Sequence, residues 1–144
     1  MIKEQLKILP ALESDMPVIE QIAKKFDLDR EDMKGSQFVV AKKEKNIIGI
    51  GRLRNYPKQT GWSEIATVAV IEEERKKGIG SLIMNELIGR APSEIFVTCV
   101  IPDFFTRFGF QKIKQYPPVL EKKVDFCKSY DFRDDQIFVM KLQK

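Results

Sequence analysis

Glu64-Ile65-Ala66-Thr67-Val68-Ala69-Val70 runs into Ile71-Glu72-Glu73-Glu74-Arg75-Lys76-Lys77-Gly78-Ile79-Gly80, and then into Ser81-Leu82-Ile83-Met84-Asn85-Glu86-Leu87-Ile88. The first part favours a strand, being apolar and rich in β-branched residues. The last part places apolar residues three and four apart, the spacing of a helix face. Between them lies a basic turn with glycines at 78 and 80. A strand that feeds such a turn into a helix can hold an anion. Successive backbone N–H groups converge there, and the positive end of the helix dipole favours negative charge. Glycines leave out the Cβ atoms that would keep a ligand off the backbone. Arg75, Lys76 and Lys77 add mobile positive charge. Out of context, Gly78-x-Gly80 reads equally as a tight turn with a solvated lysine rim.

Two familiar phosphate loops are excluded. The stretch lacks the first glycine and the Gly-Lys-Ser/Thr ending of a Walker A loop, and Ile83 stands where a dinucleotide-binding Gly-x-Gly-x-x-Gly needs its third glycine. Zero histidines remove a His-based triad and the usual zinc sites, and Cys99 and Cys127 lack metal or redox spacing. No metal site is expected. The length of 144 residues fits one domain, and 43% hydrophobic with 32% charged residues describe an ordinary globular chain. The net charge of +4 suits an anionic ligand. No basic track interleaved with aromatics suggests nucleic acid. The polar start Met1-Ile2-Lys3-Glu4-Gln5 does not read as a signal peptide, and no apolar run reaches membrane length. A cytoplasmic location is expected, with no membrane partner.

Working outward, Leu6–Leu9 reads as a first strand. Asp15 caps a helix with Pro17 in its first turn and Val18, Ile19, Ile22, Ala23 and Phe26 as its buried stripe. Asp29–Lys34 reads as a second short helix stopped by Gly35. Gln37–Lys42, Asn46–Arg54 and Trp62–Val70 form an antiparallel meander, with Lys42-Lys43-Glu44-Lys45 at a hairpin as a solvated cluster. The long helix spans Gly78 to about Ala91. Glu94–Val100 is a strand parallel to Trp62–Val70, Asp103–Phe108 a short helix closed by Gly109, and Gln136–Lys141 the last strand. Pro117-Pro118 marks a loop.

Arg75-x-x-Gly78-x-Gly80 resembles the Arg/Gln-x-x-Gly-x-Gly/Ala signature of the GNAT family of N-acetyltransferases. Phe104-Phe105-Thr106-Arg107-Phe108-Gly109-Phe110 is similar to the family's Phe-Tyr-x-x-x-Gly-Phe segment, and Glu64 falls where several branches carry a general-base glutamate. The likeness is strongest over residues 60–112. It implies an α/β (α+β) fold with a mixed sheet, an antiparallel N-terminal meander, a splayed parallel strand pair and flanking helices. It also implies one N-acetyltransferase domain over 1–144.

The same resemblance implies acetyl-CoA as cosubstrate. Its pyrophosphate would lie on Arg75, Lys76, Lys77, Gly78, Ile79, Gly80 and Ser81, its pantetheine along Val68, Ala69 and Val70, and Phe105 would line the site. A backbone N–H near Val70 would polarise the carbonyl. Glu64 is the candidate catalytic residue; its plainer reading is a strand's exposed start beside Trp62 and Ser63. An alkyl ammonium has a pKa near ~10.4, so freeing its lone pair at neutral pH costs about 4–5 kcal/mol, and a carboxylate base helps meet it. Phe105 stands where the family usually has a tyrosine that protonates the leaving thiolate. Tyr116, Tyr130, Cys99 and Thr98 are the remaining donors in the neighbouring sequence.

Three readings follow. The first is acetyl transfer to a primary amine, either a small molecule or amino acid, or alternatively a protein lysine or N-terminus. A looser likeness to the acetyltransferase domain of N-acetylglutamate synthases favours an amino-acid-like acceptor. Arg52 and Arg54, alternating on one strand, could then grip its carboxylate, or be solvated. The second is a non-catalytic acetyl-CoA-binding regulatory module; the third, a basic nucleic-acid binder, has the least support. Homo-oligomerisation is left open.

Overall fold

A computed structural model describes residues 5–56 and 61–144, so the reading of the first four residues lies outside the described residues. Strand neighbours follow the order β1-β2-β3-β4-β5-β7-β6, a mixed sheet flanked by helices. The residues group into two compact units, Met1–Arg54 with Ile65–Arg90, and Asn55–Glu64 with Ala91–Lys144.

In the first unit, β1 (Leu6–Pro10) pairs antiparallel with β2 (Phe38–Lys43), and β2 with β3 (Asn46–Tyr56). The alternation of β3 decides which helix lies on which face. Ile50 joins Phe38 and Val40 in a core with Ile19 and Ile22 of α1 (Met16–Lys25). Gly49 and Gly51 face the other way, where a Cβ would come within 2.8 Å of Ile83 Cδ1 and 2.5 Å of Ile83 Cγ2 respectively. Their missing side chains let α2 (Ile79–Arg90) lie close against β3. That contact fixes the helix whose N-terminus receives the basic turn.

Several local expectations are corrected. Val18 is exposed, so the buried face of α1 is narrower and centred on Ile19, Ile22 and Ala23. Asp15 precedes α1 but does not cap it forward; its Oδ2 accepts the Leu12 N–H at 2.8 Å and its Oδ1 pairs with Lys42 at 3.1 Å. No helix forms over Asp29–Lys34. Asp29 Oδ1 takes the Glu31 N–H in a side-chain turn, and Gly35 opens a 3-10 turn, Gly35–Gln37, instead of closing a helix. The hairpin lysines are engaged, Lys42 with Asp15 and Lys43 with Glu74.

In the second unit, the start of β4 (Trp62–Val70) pairs in parallel with β5 (Ile95–Cys99), Ser63 opposite Ile95 and Glu64 opposite Phe96. The expected parallel pair is thus present. β5 pairs antiparallel along its whole length with β7 (Phe138–Leu142), and β7 also holds β6 (Gln111–Ile113). Gly109, at φ +96°, closes the turn after α3 (Pro102–Thr106). Two elements escaped the sequence reading. β6 has three residues, and α4 (Glu121–Lys128) buries only Val124 of its eight, too little for a visible stripe. Trp62, Phe96, Leu120, Val124 and Val139 form the core here, with Trp62 stacked on Tyr56 at 4.2 Å.

Candidate functional site

The basic turn is built as a bend of unusual handedness. After β4 a 3-10 turn, Glu72–Glu74, leads to Arg75; Lys76 and Gly78 then take φ of +66° and +81°. Two left-handed residues this close reverse the chain just before Ile79, where α2 begins. The first N–H groups of a helix have no acceptor within it, and Leu82 N–H closes the first turn on the Gly78 carbonyl at 3.2 Å. A Cβ built on Gly78 meets nothing within 4 Å. The glycine there answers to backbone conformation, and the space beside it is open.

The cations around this turn are less mobile than the sequence suggests. Arg75 donates from Nε to the Val70 carbonyl at 2.9 Å and lies 4.8 Å over the Phe26 ring. Lys77 and Lys43 both reach the Glu74 carboxylate, at 2.9 and 3.2 Å, and hold it below the usual carboxylate range. Lys76 is exposed. The lysine pair therefore anchors Glu74 while keeping net positive charge at the bend.

Ahead of the turn, Val68, Ala69 and Val70 are half-buried at the end of β4. Thr67, just before them, has φ +53°, an outlier for a β-branched residue. Its hydroxyl donates to the Asp29 carbonyl at 3.0 Å, one of the contacts that over-determine such a conformation. Arg52 adds to the same loop: it is fully buried, with Nε on Gln37 Oε1 at 2.8 Å and Nη2 on the Glu31 and Asp32 carbonyls at 2.9 Å. Arg54 also donates to the Glu31 carbonyl. Arg52 is therefore not a solvated strand residue, whereas Arg54 makes its bond at the solvent-exposed side; both tie down the 29–37 segment.

In the second unit Glu64 is 2% exposed, which replaces its reading as an exposed strand start. Its Oε1 accepts the Tyr56 hydroxyl at 3.2 Å, and its Oε2 lies 3.7 Å from Lys123 Nζ of α4. Sequence reasoning missed Tyr56 and Lys123, since only the packing of β3 and α4 against Trp62 brings them to Glu64. Phe105 is buried edge-on against Phe104 and Phe110, at 5.1 and 5.9 Å. Among the other donors, Tyr116 gives its hydroxyl to Glu121 at 2.6 Å, and that bond pushes its pKa up to about 12. Burial pushes the Cys99 thiol up to about 11. Thr98 Oγ1 is buried and makes no hydrogen bond among the described residues; Tyr130 is exposed.

Residues 6–110 match the model of the Acetyltransferase (GNAT) family, and the chain belongs to that family. A Chlorobaculum tepidum protein described as an uncharacterized N-acetyltransferase, CT2212, is 35% identical over 86 residues, 56% of this chain and 54% of that protein. The chain thus spans about half the length of this relative. Among solved structures, N-acetylglutamate synthase from Neisseria gonorrhoeae, complexed with coenzyme A and N-acetyl-glutamate, superposes with a TM-score of 0.77 at 18% identity, over 99% of this chain and 36% of that one. Rv2747 from Mycobacterium tuberculosis, solved with CoA, gives 0.73 at 24% identity over 96% and 99%. Arabidopsis thaliana Naa50, bound to the bisubstrate analogue CoA-Ac-MVNAL, gives 0.70 at 14% over 96% and 99%. These likenesses establish the fold. No helix among the described residues is long and apolar enough to cross a membrane.

Proposed function

We propose that the chain is an acetyl-CoA-dependent N-acetyltransferase whose acceptor is a primary amine of a small molecule or amino acid. The observation that carries this reading is the bend at Lys76 and Gly78, leading into the N-terminus of α2 beside open space. Such a bend suits a pyrophosphate, with Arg75 to Ser81 supplying N–H groups and positive charge. Val68, Ala69 and Val70 would bond the pantetheine, a backbone N–H near Val70 would face the carbonyl oxygen, and Phe105 would give an apolar wall. A cytoplasmic location belongs to this proposal, its reducing milieu keeping cysteines such as the buried Cys99 as thiols.

Glu64 is assigned the role of general base, directly or through a water. It takes one proton from the acceptor's ammonium; the freed nitrogen forms a bond to the acetyl carbon, and the carbon–sulfur bond breaks. The second proton passes from the nitrogen to solvent as the amide forms, and Glu64 gives up its own proton to solvent before the next turnover. Phe105 supplies no proton, and Tyr116, held by Glu121 at about 12, is a poor donor. Coenzyme A therefore departs as the thiolate in this reading and is protonated by solvent. An amino-acid acceptor is favoured over a protein amino group by the superposition on N-acetylglutamate synthase, whose structure holds N-acetyl-glutamate; the Naa50 complex keeps a peptide N-terminus as the second acceptor class.

The absent hydroxyl at Phe105 also motivates a non-catalytic acetyl-CoA-binding module. Free-thiol release from acetyl-CoA against a panel of amino acids, small amines and peptides separates the readings. Acceptor-dependent release with amino acids supports the proposal, release with peptides alone moves the acceptor to protein, and binding without release favours the module.

A further inference from the structure

We propose that Thr67 is a positioning residue: its hydroxyl holds the kink that aims Val68, Ala69 and Val70, so that the 29–37 segment braces the part of β4 assigned to the pantetheine. The inference rests on the N-acetyltransferase reading above and names what fixes its cofactor strand. Left-handed backbone suits glycine and, less often, asparagine or aspartate, because a Cβ crowds the neighbouring carbonyl. Threonine carries two further heavy atoms on that Cβ, which makes it poorly suited to φ +53°. Local preference does not ask for the kink, since Thr67 and Val68 both favour extended strand. The hold comes from elsewhere in the chain. Thr67 is buried, and its hydroxyl donates to the Asp29 carbonyl at 3.0 Å, 38 residues away.

That carbonyl is a firm anchor. Asp29 is itself buried, and its Oδ1 takes the Glu31 N–H at 2.9 Å, closing a side-chain turn. From β3, Arg52 Nη2 holds the Glu31 and Asp32 carbonyls, and Arg52 Nε holds Gln37. The segment thus takes its shape from β3 and, through Thr67, returns a hold on β4. Past the kink Val68, Ala69 and Val70 are all half-buried, so this stretch of strand is not sealed in the core. A strand that receives a ligand along its backbone must present its N–H and C=O groups in one fixed direction. Strained backbone persists at such sites when the surroundings over-determine it. Without the hydroxyl, position 67 relaxes towards extended backbone, and the three residues after it turn with it.

The test compares the full wild-type chain with Thr67→Val, which keeps the branched shape without the hydroxyl, and Thr67→Ser, which keeps the hydroxyl. Thr67→Ala takes the place of the valine variant if circular dichroism shows that variant unfolded. NMR reads the backbone at position 67, where left-handed φ gives a strong Overhauser contact between a residue's own amide and Hα protons. Calorimetry reads acetyl-CoA binding well below the melting temperature. Wild type and Thr67→Ser should show the strong contact and bind alike. Thr67→Val should lose the contact and bind acetyl-CoA about tenfold more weakly, the scale of one lost hydrogen bond. A folded Thr67→Val chain that binds as wild type does overturns the proposal, since a merely structural threonine lowers the melting temperature and leaves the folded chain's affinity alone. A left-handed φ that survives in Thr67→Val overturns it as well, as does a Thr67→Ser chain that fails to restore binding. If wild type binds no acetyl-CoA, the N-acetyltransferase reading fails by itself. The NMR arm then decides alone: a lost contact in Thr67→Val upholds the hold on β4, and a retained one removes it.

Discussion

Arg75 Nε donates to the Val70 carbonyl at 2.9 Å, tying the first residue of the basic bend to the last residue of β4. The bond closes the bend back on the strand, so the segment assigned to pantetheine and the segment assigned to pyrophosphate are held as one piece. Arg75→Ala should loosen that closure and weaken acetyl-CoA binding, through geometry as well as lost charge.

Glu64→Gln should keep cofactor binding and lower acetyl transfer by something like 10²–10⁴-fold. The deficit should shrink as pH rises, because more of the acceptor is already neutral. Rates compared from pH 6 to 9 check this. A mutant equal to wild type throughout would make Glu64 structural.

Gly51→Ala should destabilise the fold. Its Cβ would stand 2.5 Å from Ile83 Cγ2 and 2.8 Å from Leu87 Cδ1, so α2 must shift or repack. Overpacking of this kind costs roughly 1–3 kcal/mol. Urea unfolding measures the loss; an unchanged midpoint would mean α2 moves freely on β3.

Asp15 links stability to acid pH. Burial pushes its carboxyl up, but the Leu12 N–H and the Lys42 ammonium outweigh that and leave it below its ordinary 3.8. A carboxyl lowered on folding stabilises the folded state above its unfolded value, and that contribution fades as pH falls through the folded value. Asp15→Asn should therefore cost stability at pH 7, and the gap to wild type should narrow progressively as pH falls below 3.8. A gap that does not narrow on acidification would assign the cost to lost packing instead.

Cys99, 7% exposed with its thiol pushed up to about 11, should resist alkylation in the folded chain. Iodoacetamide at pH 8 should label Cys127, which is half-buried, well before Cys99, and both after unfolding. Equal labelling rates in native buffer would show that β5 opens readily.

The strand–turn–helix from Trp62 to Arg90 was legible because each part carries its own local signal: β-branched residues, glycines in a basic turn, then a helical stripe. The Trp62–Val70 strand bounds agree with the structure at both ends. Where local signals were overruled by distant groups, the reading failed. Asp29–Lys34 has helix-like composition, yet Arg52 and Thr67 claim its carbonyls and hold it as a loop. Arg52 looked like a surface cation for the same reason, since nothing nearby in the sequence announces the carbonyls that bury it. At the candidate site, Glu64 was visible as a lone acid in an apolar strand. Its companions were not, because Lys123 sits on a polar helix with one buried residue and reaches Glu64 only through tertiary packing.

Calorimetric titration of acetyl-CoA into wild type and Gly78→Asp tests the central claim most directly. The substitution places a carboxylate in the open space beside the bend, and at φ +81° it also strains the backbone by about 1–2 kcal/mol, so circular dichroism must first show that the variant is folded. The account predicts one-site binding by wild type and affinity at least about tenfold weaker in the variant, a loss of 1.4 kcal/mol or more. A folded Gly78→Asp chain that binds acetyl-CoA as tightly as wild type, or a wild type silent at millimolar ligand, would contradict it.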